Sequence, residues 1–174
     1  MKNRRIYVEK YSRFQVEADT LRNELNTNLG LSIEHLRLIN VYDLFCFSDE
    51  LLEKSRYSVF GEVVTDSVTD DCDMQGMPHL AVEFLPGQFD QRADSAAQCI
   101  QLAAQNQRPT VASAKVYVVS GNVSDEDFLK IKKNLINPVE SCETTLDTLT
   151  TLHTPFDVPA DVAVLEGFLE LDEA

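Results

Sequence analysis

Polar and apolar residues alternate around Ile6 and Val8 over 5–9, which predicts a strand. The period then changes. Ala18, Leu21, Leu25 and Leu29 recur at steps of three and four, so they form one stripe of a helix over 16–29. Gly30 is placed to stop that helix, because glycine takes the left-handed conformation without steric cost. Residues 35–47 are apolar and β-prone, and are expected to form two short strands with a turn near Asn40 to Asp43. Ser48 then caps a helix from Asp49 to about Tyr57, and its acidic first turn suits the helix dipole.

The second half of the chain follows the same order. A strand is predicted over 80–85, followed by a turn at Pro86-Gly87. Asp90 can cap a helix reaching about Gln105, with Ala93, Ala96, Ala97, Ile100, Ala103 and Ala104 on its buried face. The strand at 112–119 places Ala114, Val116 and Val118 on one side. Gly121-Asn122 is a turn, and Ser124-Asp125-Glu126-Asp127 opens a last helix in the manner of a capping box. Asn137-Pro138 ends it.

The halves also match residue by residue at an offset of about 75. Val8-Glu9 matches Val82-Glu83, and Phe14, Ala18 and Asp19 match Phe89, Ala93 and Asp94. Ser48-Asp49-Glu50, Lys54 and Val63 match Ser124-Asp125-Glu126, Lys130 and Val139. Each half reads as strand, helix, strand or strands, helix, with a possible final strand. Helices on one face leave the other sheet face needing a cover. The expected architecture is therefore α+β and pseudo-twofold, with antiparallel sheets, helices on one face, and each copy supplying the cover for the other.

Between the halves, 65–78 holds Asp66, Asp70, Asp71 and Asp73 with Gly76 and Pro78, and reads as an acidic linker. Its Asp71-Cys72-Asp73-Met74-Gln75-Gly76 run begins like a calcium loop. The twelfth position is Val82 rather than a glutamate, so a solvated linker is the better reading. Residues 141–154 read as a second linker. Val162, Leu165, Phe168 and Leu169 then begin a new apolar stripe, expected either to open a further domain or to dock as a terminal helix.

Net charge narrows the partners. At −14, the chain repels phosphate backbones, so neither nucleic acid nor an anionic membrane surface is an expected partner. The basic start, Met1-Lys2-Asn3-Arg4-Arg5, leads into no signal-peptide core, and a cytoplasmic location is expected. Cys46, Cys72, Cys99 and Cys142 form no CxxC pair and are expected as reduced thiols. His35, His79 and His153 have no metal-ligand spacing, and no glycine-rich phosphate loop is present. No metal or cofactor is expected in this chain, and no residue is assigned a catalytic role.

One segment is chemically dense. Gln88, Asp90, Gln91, Arg92 and Asp94 place two amides, two acids and a guanidinium at a turn and helix start. Free amides there can bind an anion, and Arg92 can hold a carboxylate or phosphate through its planar fork. The structural reading is that Asp90 caps the helix and Arg92 pairs with an acid from the other half. The functional reading makes these five residues an interdomain or ligand contact.

Four stretches carry a resemblance: RRIYVEK at 4–10, LPGQFDQRADSAAQCIQL at 85–102, SAKVYV at 113–118 and NLINPVE at 134–140. Together they resemble the N-terminal region of phosphoribosylformylglycinamidine synthase (FGAM synthase) of the large, PurL type. The tail LEGFLELDE at 165–173 resembles the start of that enzyme's next domain. The resemblance implies tandem, fused PurS-like βαββα units related to the ferredoxin-like fold. The first half is then 1–64, the linker 65–78 and the second half 79–143, with 144–174 a linker and the start of a truncated following domain. The implied enzyme of purine biosynthesis is a ligase and glutamine amidotransferase. It makes formylglycinamidine ribonucleotide from formylglycinamide ribonucleotide, glutamine and ATP, and its ATP, magnesium and glutaminase residues lie outside this chain. The implied role of this chain is structural: it bridges the synthetase and glutaminase parts of the same polypeptide and is inactive alone. Homodimerisation of the isolated chain is an expected way of covering its docking surface. The alternative is a free-standing ferredoxin-like regulatory module that binds a small molecule at the helix start from Asp90 to Arg92.

Overall fold

Two long strands set the architecture. In β2 (Ile33–Phe47), Leu36, Leu38, Tyr42 and Leu44 point to one face while Ile39 and Val41 point to the other, and all six are buried. In β5 (Thr110–Gly121), Tyr117 and Val119 share the first face, and Val116 and Val118 share the second. A strand covered on both sides reads as a near-continuous apolar run rather than an alternating one. The two strands pair antiparallel from Ile33–Gly121 to Phe45–Thr110.

The computed structural model describes residues 2–104 and 108–147. Along the described chain the remaining strands and α-helices are β1 (Lys2–Lys10), α1 (Val16–Leu29), α2 (Asp49–Ser55), β3 (Asp66–Thr69), β4 (His79–Phe84), α3 (Gln91–Ala104), α4 (Asp125–Leu135) and β6 (Ser141–Thr144). A π-helical turn (Arg56–Phe60) extends α2. All six strands join one antiparallel sheet in the order β3-β1-β2-β5-β4-β6. The protein is α+β, with four α-helices among the described residues.

The helices share one face of that sheet. One core gathers Leu52 and Phe60 from α2 and its π turn with Ala96 and Ile100 of α3, over Ile6, Val8, Tyr42 and Leu44. The other gathers Ala18 and Leu25 of α1 with Ile131 of α4, over Leu36, Leu38 and Val119. Each pair thus takes one helix from either side of the 65–78 segment. The predicted caps are present. Gly30 ends α1 at φ 66°, the Ser48 hydroxyl accepts from the Leu51 N–H, and Ser124 and Asp127 form the capping box of α4. Ala93, Ala96, Ala97 and Ile100 are buried on α3, but the helix end at Ala103 and Ala104 is exposed.

Four expectations are corrected. The two halves do not cover each other face to face; they share one sheet edge to edge along β2 and β5. Pairing two long two-sided strands satisfies their backbone groups along their whole length, which stacking would not do. The helix-free face is covered by the chain itself. Cys72, Met74, Met77 and Leu146 pack on Ile39, Val41, Val116 and Val118. Second, β2 is one strand with no turn at Asn40 to Asp43, because Asp43 is held within the sheet by Arg5, so each half runs βαβαβ rather than the expected βαββα. Third, the 65–78 segment begins as a strand. Asp66 there is buried and accepts from Lys10, the Thr65 hydroxyl and the Glu62 N–H. Fourth, Ser141 begins a strand rather than a linker, since β6 pairs with β4. The stripe from Val162 to Leu169 lies outside the described residues.

Candidate functional site

Pro86 and Gly87 form the central pair of a turn closed by the Gln88 N–H donating to the Leu85 carbonyl at 2.9 Å. Gly87 has φ 90°, which explains glycine at that position. The turn delivers Asp90 to the start of α3. One carboxylate oxygen accepts from the Ala93 N–H and the Ser113 hydroxyl, and the other from the Ser113 N–H, each at 2.9 Å. Asp90 therefore both caps α3 and ties it to β5.

The five sequence candidates divide. Gln88 donates its amide to the Val139 carbonyl at 3.1 Å, and the Leu85 N–H donates to the Glu140 carbonyl at 2.9 Å. These two bonds bind the turn to the loop after α4. Asp94 accepts from Gln98 and pairs with Arg108, away from the turn. Gln91 and Arg92 alone of the five face an open cleft of about 630 Å³. The structural reading expected Arg92 to pair with an acid from the other half, and among the described residues it does not. Among the described residues its partner is the Tyr42 hydroxyl, to which Nη1 donates at 3.4 Å. The Tyr42 ring is held in turn by Phe60, with centroids 4.9 Å apart.

The cleft lies between α3 and the end of α4, on the helix-bearing side of β4 and β5. Val82, Phe84 and Tyr117 give it an apolar floor. Ser95 and Cys99 continue the α3 wall, and Asn137 and Glu140 form the opposite one. Burial, reinforced by Glu17, pushes the Tyr117 phenol up, so it stays neutral. Lys115 at the edge is committed to Glu17 at 2.9 Å. Tyr42 and Phe84 escaped the sequence reading of the site. Tyr42 is fifty residues from Arg92 in sequence and reaches it only through the sheet.

A second polar group occupies the helix-free face. Arg5 and Asp43 meet through two parallel bonds of 2.8 Å, and Arg5 Nη1 donates to the Leu146 carbonyl at 2.6 Å. Beside them, Glu83 has its carboxyl pushed above the ordinary value of 4.5, by burial first, against a hydrogen bond from Thr144. The folded state therefore holds that proton more tightly than the unfolded chain does. Its contribution to stability is full below the unfolded value and is lost as pH rises through the folded one. Glu83→Gln is expected to be more stable than the native protein at neutral pH, with the gap closing in acid. Urea midpoints at the two conditions check this, and a gap that widens in acid contradicts it. Arg37 is bound by Glu9 at 2.7 and 2.8 Å and is raised chiefly by that pair. All four cysteines are free thiols, and burial raises Cys72 and Cys142, which keeps both protonated.

No protein-family model and no curated protein sequence matches the chain. Among the described residues, no helix is long and apolar enough to cross a membrane.

Proposed function

We propose that this chain is the N-terminal assembly domain of FGAM synthase, built from two fused PurS-like units, and that it bridges the synthetase and glutaminase parts of that enzyme in the cytoplasm. The observation that carries this reading is the order of the sheet. Exchanging β1, β2 and β3 for β4, β5 and β6 leaves β3-β1-β2-β5-β4-β6 unchanged when read from the other edge. The helices obey the same exchange, since α1 packs with α4 and α3 with α2. Two copies of one βαβαβ unit, joined through their longest strands, would produce this pattern. The LPGQFDQRADSAAQCIQL run then falls on the turn, cap and buried face of α3. In this reading Asp90 organises the segment and Arg92 meets the partner.

The rival reading, a regulatory module for a small molecule, draws on the cleft, whose 630 Å³ lies within the usual range of ligand pockets.

Trans-complementation tests the assembly reading. A large-type FGAM synthase lacking its own N-terminal domain is expected to lose glutamine-dependent amidine formation, and this chain, added separately, to bind it and restore part of the rate. The chain alone is expected to show no glutaminase or ATPase activity. Failure to bind and to restore would refute the assignment.

A further inference from the structure

Among the described residues, the helix-bearing side of the sheet is closed over one inner strand and open over the other. β1 lies between β3 and β2, and its Ile6 and Val8 are 0% and 4% exposed under a core that includes Leu52, Phe60 and Val68. β4 lies in the matching place between β6 and β5. Its Leu80 is buried, but Val82 and Phe84 are only half-buried and line the cleft. The difference arises in the residues just after the second helix of each set. After α2, the π turn carries Phe60 into the core beside Val8. After α4, the chain turns at once, with the Glu140 and Ser141 N–H groups both donating to the Asn137 carbonyl, and enters β6. Among the described residues, no side chain is delivered in the place that Phe60 fills.

Three further features adjoin this gap. Phe89 and Val139 are 68% and 75% exposed, on two loops bonded to each other by Gln88 to the Val139 carbonyl and by the Leu85 N–H to the Glu140 carbonyl. Exposed apolar side chains beside an apolar cleft mark an interaction surface. Arg92 is exposed and, among the described residues, unpaired with any carboxylate, in a chain of net charge −14. The Tyr42 hydroxyl accepts from Arg92, so its own proton is left to donate.

We propose that this cleft seats a polypeptide segment of the synthetase or glutaminase part, with one apolar side chain on Val82, Phe84 and Tyr117 and one carboxylate shared by Arg92 and the Tyr42 hydroxyl. The proposal rests on the assembly reading above and adds the docking site and the chemistry of its occupant. A polypeptide fits better than a small ligand because Phe89 and Val139 lie outside the cleft, where an enclosed molecule would leave them wet. A carboxylate fits because a guanidinium binds it through two parallel hydrogen bonds. Glu140 on the far wall directs that acid to the α3 side.

The test places a photo-crosslinking amino acid at position 89 or 139 of the whole chain, with a control at Val63. Each version is mixed with FGAM synthase lacking its N-terminal domain. Crosslinks from 89 and 139 are expected on one partner peptide that contains Asp or Glu. Arg92→Glu should weaken binding by roughly tenfold or more, without changing the melting temperature. Lys54→Glu, an equal charge change on α2, should alter it by only a few-fold. If the complex forms but 89 and 139 give no crosslink, or the two charge variants bind alike, the docking site is wrong and the assembly reading stands. If the unmodified chain forms no complex, both fall. A saturable, Arg92-dependent rise in melting temperature with glutamate or benzoate would make the occupant a small molecule and overturn the proposal.

Discussion

Replacing Asp43 with alanine is expected to cost this protein about 3–5 kcal/mol, the range for breaking a buried ion pair from one side. Both members of the Arg5–Asp43 pair have side chains only 9% exposed. Two parallel hydrogen bonds join them, and a third fixes Arg5 to the Leu146 carbonyl. The geometry repays the desolvation of both charges. Without Asp43, the guanidinium would remain buried with the Leu146 carbonyl, Tyr7 and the nearby Glu83 carboxyl, but without the two parallel bonds that now hold it. Arg5 lies on β1 and Asp43 on β2, and Leu146 comes after β6 at the far edge of the sheet. The loss would therefore loosen the cover of the helix-free face as well as the strand pair. Chemical denaturation gives the measurement: the midpoint should fall at constant slope. Removing both charges in Arg5→Met/Asp43→Leu should recover much of the loss, since paired apolar replacements of buried ion pairs are often near neutral. A loss below about 1 kcal/mol for Asp43→Ala would place the pair with ordinary surface bridges and contradict the argument.

Gly121→Ala is expected to cost about 2–4 kcal/mol, through backbone strain combined with a clash that cannot relax. Gly121 has φ 125°, where side chains are rarely found, and it pairs with Ile33 at the end of the β2–β5 seam. A Cβ there would lie 2.7 Å from the Glu34 nitrogen and 2.8 Å from the Ser32 carbonyl oxygen. Both are backbone atoms beside the irregular register between Ile33 and His35, so no side chain can swing aside. The end of the seam would have to open. Gly87→Ala provides the contrast. Its φ of 90° is also strained, but a Cβ there meets nothing within 4 Å. Its cost should stay near the ~1–2 kcal/mol of left-handed strain alone. Thermal and urea unfolding of the two variants should rank them in that order, and equal losses would show that the seam tolerates the clash.

The features legible in the sequence were those decided within a few residues. Gly30, Ser48, Asp90 and the Ser124–Asp127 pair act on the backbone of their own helix, and each holds its predicted place. The stripe of α1 and the alternation of β5 were legible because period follows from local geometry. Asp43 was misread because a polar residue within an apolar run signals a turn unless something pairs with it. Its partner is Arg5, at the opposite end of the first half. The 65–78 segment was misread for the same reason. Asp66 is an acid that three donors hold in place, and Cys72, Met74 and Met77 are too sparse to show a period, yet they cover a sheet face. Of the candidate site, the turn, the cap and Arg92 were legible, while Tyr42 and the floor of the cleft were not.

By itself, then, the sequence determined the helices and most of the strands, where most of the helices begin, and that their order occurs twice. Capping, glycine conformation and hydrophobic period act over a single turn or a few strand residues, so they are written locally. Only the tertiary structure decided that β2 and β5 join edge to edge, that 72–77 covers the bare face, and that Val82 and Phe84 stay half open. Those outcomes depend on which distant groups satisfy each other's backbone, charge and apolar surface. That competition is settled by packing across the whole sheet rather than by any one stretch of chain.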